Sequence, residues 1–128
     1  MPNYVLARRL LVLAPLLVLA VGCGGAAATG DLDKIQVTLG RFDVSVTNTS
    51  GRTLTEVVVE IGPAGPGSHF VAHPDRLENG QTRSLAHTSF INRDSVPFSP
   101  RNTKATHVTV IAKDLDGKPV RVEVPFKG

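Results

Sequence analysis

From Asp31 onward, apolar and polar residues alternate with a period of two. Ile35, Val37 and Leu39 alternate with Gln36 and Thr38, and Phe42, Val44 and Val46 alternate with Asp43, Ser45 and Thr47. The pattern recurs in Val57, Val59 and Ile61, in Val108, Val110 and Ala112, and in Val120, Val122, Val124 and Phe126. Successive side chains of a strand point to opposite faces, so each run predicts a half-buried β-strand. A sixth candidate strand runs from Gln81 to His87, and no segment after residue 31 has the 3.6 period of an amphipathic helix. The punctuation agrees. Asn48-Thr49-Ser50-Gly51 and Asn79-Gly80 read as turns, and Asp116-Gly117 predicts a two-residue hairpin between the last two strands. Pro125 belongs on the solvent face of the last strand, next to a sheet edge. The expected fold class is all-β, an antiparallel sandwich of six or seven strands.

Two segments exceed a minimal sandwich. Gly62 to His69 is rich in Gly and Pro and reads as a loop, and Ser89 to Asn102 is long and irregular. Long loops are either packed on the domain by their own side chains or used for binding. Phe90 and Phe98 therefore either plug an open end of the sandwich or form an interaction surface; aromatic residues are most often buried.

Residues 1–22 differ from the rest. Arg8-Arg9 precedes an apolar run from Leu10 to Gly22, interrupted only by Pro15, which is the layout of an export signal with a short signal helix. Thirteen helical residues reach only about 20 Å, short of a hydrocarbon core of about 30 Å. The run therefore reads as a signal rather than a permanent span. Cys23 follows at once and is the only cysteine in the chain, so no internal disulfide is available. Leu19-Ala20-Val21-Gly22-Cys23 resembles the lipobox of bacterial lipoproteins, with alanine at 20 where that family most often has leucine. The resemblance implies cleavage between Gly22 and Cys23, a diacylglycerol on the cysteine sulfur and further fatty acylation, palmitate included, at the new amino terminus. Stable anchoring takes at least two such signals, which multiple chains on one residue supply. The alternative is ordinary secretion with a cut near Ala26-Ala27-Ala28. A catalytic thiol needs a positive environment held by a scaffold, which a Gly/Ala tract lacks.

The expected organisation is thus a signal peptide over 1–22, an acylated cysteine and flexible tether over 23–30, and one β-sandwich over 31–128. Gly24, rather than aspartate, after the cysteine favours the outer membrane in an organism with two membranes, by the same resemblance. The formal charge of +3 falls to about +1 once Arg8 and Arg9 leave with the signal. No basic stripe or nucleic-acid motif occurs, so nucleic acid is not an expected partner.

The folded part carries a second, less specific resemblance. Val46 to Gly51 followed by Leu54 and Val57-Val58-Val59, the Leu77-Glu78-Asn79-Gly80-Gln81-Thr82 turn and the stretch around Phe98-Ser99-Pro100 look like bacterial immunoglobulin-like or fibronectin-III-like envelope domains. Such domains bind, space or scaffold, and the resemblance implies no catalytic residues.

Candidate chemistry is sparse. His69 and His73 are four apart, a spacing that separates them by about 13 Å on a strand. A turn at Gly67-Ser68 or Pro74 would be needed to bring them together, with His87 or Asp75 as a third metal ligand. His107 belongs on the outer face of its strand. Glu56 and Glu60 share a strand face, Asp114 and Asp116 read as turn chemistry, and no nucleophile elbow, phosphate loop or EF-hand occurs. No cofactor is expected. The expected function is a non-enzymatic module of the cell envelope, anchored to a membrane by lipid and binding or scaffolding another envelope protein. The alternatives are a small-ligand or metal-binding protein using the histidines, and an accessory domain of a hydrolase.

Overall fold

A computed structural model describes residues 27–63 and 69–126. The expected signal segment, the Gly22–Cys23 cleavage site and residues 23–26 of the tether lie outside the described residues, as do residues 64–68 of the Gly/Pro-rich loop. The described chain forms eight strands: β1 (Thr29–Gly30), β2 (Ile35–Leu39), β3 (Asp43–Asn48), β4 (Leu54–Gly62), β5 (Phe70–Leu77), β6 (Thr82–Ala86), β7 (His107–Lys113) and β8 (Pro119–Pro125). They pair antiparallel in two sheets, ordered β1-β8-β7-β4-β5 and β2-β3-β6. The architecture is an all-β sandwich.

The period-two pattern states the reason. Val44 and Val46 of the smaller sheet, and Val57, Val59, Ile61, Val108, Val110, Val120 and Val122 of the larger one, are all at most 1% exposed. They meet between the sheets, and removing such apolar surface from water is the main favourable term in folding. Strand β4 adds a break in the pattern. Leu54 and Val57 are both buried although three residues apart, which a regular strand forbids. Glu56, at φ 50°, is inserted as a bulge against both β5 and β7, and this brings both residues inward. Glu56 and Glu60 accordingly form no working pair: Glu56 lies 3.6 Å from Lys113, whereas Glu60 contacts His69.

Three features depart from the sequence expectation. Strand β5 runs through Pro74, where a turn would be one way to bring His69 and His73 together. It is an edge strand, where a proline costs no ladder bond, and Asp75 at φ 67° marks a bulge. The sandwich also begins at Thr29 rather than Asp31, because Thr29 and Gly30 pair with Glu123 and Val122. Gly30 has φ 97°, and a Cβ there would stand 2.1 Å from the Arg121 carbonyl oxygen, so only glycine fits. Pro125 is half-buried at the end of β8, beyond the two residues that β1 covers.

The third departure concerns loops. The β7–β8 connection has three residues, not two: the Asp114 and Lys118 backbones close it, Gly117 occupies φ 80°, and Asp114 Oδ1 accepts the amides of Asp116 (2.8 Å) and Lys118 (2.9 Å). The same device recurs inside the irregular 89–102 segment. Asn92 and Val96 close a three-residue loop, Ser95 sits at φ 66°, and Asn92 Oδ1 accepts the amides of Asp94 and Val96, each at 2.9 Å. The Ile91–Pro97 bridge closes this small hairpin, and the Val71–Ile91 bridge attaches it to β5.

At one pole of the sandwich, Asn48 is fully buried and joins the sheets. Its side-chain amide donates to the carbonyls of Arg52 (2.7 Å) and Leu77 (2.9 Å), and its side-chain oxygen accepts from Ser50 N (2.9 Å) and Ser50 Oγ (2.7 Å). Its backbone accepts from Gly80 N and donates to the Gln81 carbonyl. Asn48→Ala leaves the Leu77 carbonyl buried without a donor, and chemical denaturation should show a loss of about 2–4 kcal/mol. Asn48→Asp should cost more, since a carboxylate would face two carbonyl oxygens. Ser95→Gly relieves a non-glycine φ in the left-handed region and should add about 0.5 kcal/mol by the same measurement.

Candidate functional site

The opposite pole is closed by aromatic rings. Phe90 and Phe98 are 0% and 1% exposed, so both plug the end of the sandwich and neither offers a surface anchor. Phe98 lies edge-on to Phe70 (5.4 Å between ring centres), to His87 (5.4 Å) and to Phe126 (5.7 Å). Edge-to-face packing suits the ring quadrupoles and adds to the burial term. The large apolar residues of the 89–102 segment that reach solvent are Ile91 and Val96.

Beside this plug opens a cavity of about 520 Å³, lined by Arg41, Phe42, Ala86–Thr88 and Phe98–Arg101. That size is typical of small-ligand pockets. Phe42 has the inward phase of Val44 and Val46, yet it is 71% exposed. It precedes β3, where the inward direction meets the cavity rather than the second sheet, so its expected place in the core is corrected. The Arg41 guanidinium lies 5.4 Å from the centre of the Phe42 ring, in the range of a cation–π contact. Together they form one lip; Pro100 and Arg101 form the other.

His87 forms part of the wall. It stands in a short 3₁₀ turn (His87–Ser89) directly after β6, with its amide donating to the Phe42 carbonyl and its carbonyl accepting from Phe90 N. The side chain is buried against Phe98 and, at 6.0 Å, Phe126, and its Nε2 has no hydrogen-bond partner. Burial pushes the imidazole pKa below its ordinary value of 6.5, against a smaller opposing pull from the Asp43 carboxylate. The ring is therefore neutral at pH 7, and the positive charge at the cavity comes from Arg41 and Arg101. Neither forms an ion pair among the described residues, and neither does Lys104, which lines an adjoining hollow with Pro100 and Phe126.

Charges at the Asn48 pole behave differently. A polar hollow there holds Arg52 and Asp116 in contact at 2.9 Å, and this contact raises the Arg52 pKa. The amides of Lys118 and Asp116 hold Asp114 below the usual carboxylate range. These groups satisfy one another.

The expected histidine cluster does not assemble. His69 Nδ1 lies 2.9 Å from Glu60, and its ring is edge-on to His107 at 6.2 Å. His107 is half-buried at the start of β7, with Nδ1 3.0 Å from Thr106 Oγ1. His73 projects from β5 into solvent, Asp75 occupies the bulge, and His87 belongs to the aromatic cavity. Among the described residues no three His, Cys, Asp or Glu side chains are placed to hold a metal ion. The cavity residues Arg41, Phe42 and Arg101 were not foreseeable from spacing, because they come from two segments about sixty residues apart. No protein-family model, no curated protein and no solved structure matches the chain.

The His87 environment sets a pH dependence. Between its depressed folded pKa and about 6.5, the unfolded chain holds a proton that the folded chain does not, so stability rises with pH across that window. Denaturation midpoints should fall as pH drops below about 6.5 and level off below the folded pKa. In His87→Phe that component of the slope should disappear.

Proposed function

We propose that this chain is a lipid-anchored module of the bacterial cell envelope, carrying an immunoglobulin-like sandwich that binds or scaffolds rather than catalyses. Cys23 stands six residues before Thr29, the first residue paired into the sandwich. This spacing is the observation that carries the reading. Six extended residues span at most about 20 Å, so an acylated Cys23 would hold the domain close to a bilayer on a short leash. Confinement of that kind raises the effective concentration of the domain toward anything else held at the same membrane.

The alternative of a small-ligand protein draws on a different observation, the 520 Å³ cavity with His87 in its wall. It no longer needs His69 or His73.

Detergent phase partitioning tests the anchor. The wild-type protein expressed in a bacterial host should enter the detergent phase, and Cys23→Ser should leave its mature domain in the aqueous phase. Equal partition of the two would exclude acylation at Cys23.

A further inference from the structure

We infer that the cavity pole is the membrane-facing end of the domain, and that Arg41 and Arg101 bind the phosphate of an anionic lipid headgroup there, with Phe42 entering the interface. The inference rests on the lipid-anchor reading and adds to it an orientation and a second membrane contact.

Chain direction supplies the first reason. Strand β1 runs antiparallel to β8 with Thr29 opposite Glu123, so going backward from Thr29 the chain heads toward Pro125 and Phe126. Glu123 and Phe126 are three residues apart, about 10 Å along an extended chain. The Phe126 ring packs on His87 and Phe98, which form the wall of the cavity. The chain thus leaves the sandwich toward the cavity pole, and a leash of about 20 Å delivers that pole to the bilayer first.

The second reason is the chemistry of this end. Arg41, Arg101 and Lys104 have no acidic partner among the described residues, and no carboxylate lines the cavity. At the opposite pole Lys34 and Lys118 form no ion pair either, but they share their hollow with Asp114 and Asp116. A guanidinium offers a planar fork of donors that matches phosphate oxygens. Asp43, whose carboxylate acts on His87 in the cavity wall, accepts from Ser84 Oγ.

The third reason is Phe42. The Phe42 ring is 71% exposed beside an arginine at the rim of the cavity, where entry into a lipid interface would remove its apolar surface from water. Cations with aromatic residues on one face are the composition of surfaces that lie at a lipid interface. A polybasic patch near an anionic leaflet gains affinity with each cation, which suits two or three such residues acting with an anchor rather than alone.

The test uses the full lipidated protein in nanodiscs of phosphatidylcholine, with or without phosphatidylglycerol. A spin label is placed at Thr88→Cys in the cavity wall or at Leu115→Cys at the opposite pole. With phosphatidylglycerol present, the label at 88 should become more accessible to oxygen than to an aqueous nickel complex, while the label at 115 stays aqueous. Adding Arg41→Gln with Arg101→Gln, or Phe42→Ser, should return the label at 88 to the aqueous pattern without changing the melting temperature. An aqueous label at 88 in both lipids overturns the inference. So does release of that label by inorganic phosphate, which would mark a free-anion site, or its burial only on adding a second envelope protein. The anchor is scored separately by the number of labels and the intact mass. One label on a chain whose intact mass includes Cys23 and its acyl groups means that Cys23 is acylated. Two labels mean a free thiol, and one label on a chain cut near Ala26-Ala27-Ala28 means that Cys23 is gone; in either case both the anchor and the inference built on it fall.

Discussion

The sandwich depends on one buried amide. Two sheets packed face to face are held by apolar burial, which has no direction, so their relative position needs a directional tie. Asn48 provides it at one pole: from the end of β3 it donates to carbonyls before β4 and at the end of β5, and its backbone meets the β5–β6 turn. Both amide hydrogens and the side-chain oxygen are used, which is the condition under which a buried polar group stabilises rather than costs. With this pole fixed by hydrogen bonds, the register of the valine faces follows, because a one-residue slip would turn every buried valine toward water.

The other pole is held differently, and the difference explains why the cavity is there. Phe70, Phe90, Phe98, His87 and Phe126 fill the end of the sandwich by ring packing, without a polar network. Rings that meet edge to face leave gaps at their periphery, and the segments from Arg41 to Phe42 and from Ser99 to Arg101 surround one such gap. His87 carries the tension of this arrangement: its ring fits the aromatic cluster, but its Nε2 has no partner and its charged form is disfavoured. One pole is polar, with a hydrogen-bonded amide inside and Arg52 paired to Asp116 in its surface hollow. The other is apolar inside, cationic at its lips and open.

Legibility followed the range of the interactions. All five runs with alternating polarity became strands, since alternation records only which face is buried, and the sixth candidate, over Gln81–His87, became β6. Strand β5 was hidden because Pro74 and Asp75 speak locally for a turn, and only its position at a sheet edge makes them acceptable. The hairpin at Asn92–Val96 was hidden by Ser95, which occupies a backbone conformation that Gly117 advertises in the matching loop. Asn92-Arg93-Asp94-Ser95-Val96 and Asp114-Leu115-Asp116-Gly117-Lys118 share an Asx at the first position and an Asp at the third, a likeness that becomes informative once the common hydrogen bonds are known. Gly30 read as tether because its reason for being glycine, the Arg121 carbonyl, comes from the other end of the chain.

Local periodicity and composition specify the all-β class, the apolar face of five strands and the aromatic character of the 89–102 segment. Tertiary structure decided which residues share a site. It separated His69, His73 and His87, buried Phe90 and Phe98, left Phe42 at the rim and set Arg41 across from Arg101. The physical reason is that strand pairing joins segments distant in the chain, and no local pattern encodes which loops will meet where the sheets end.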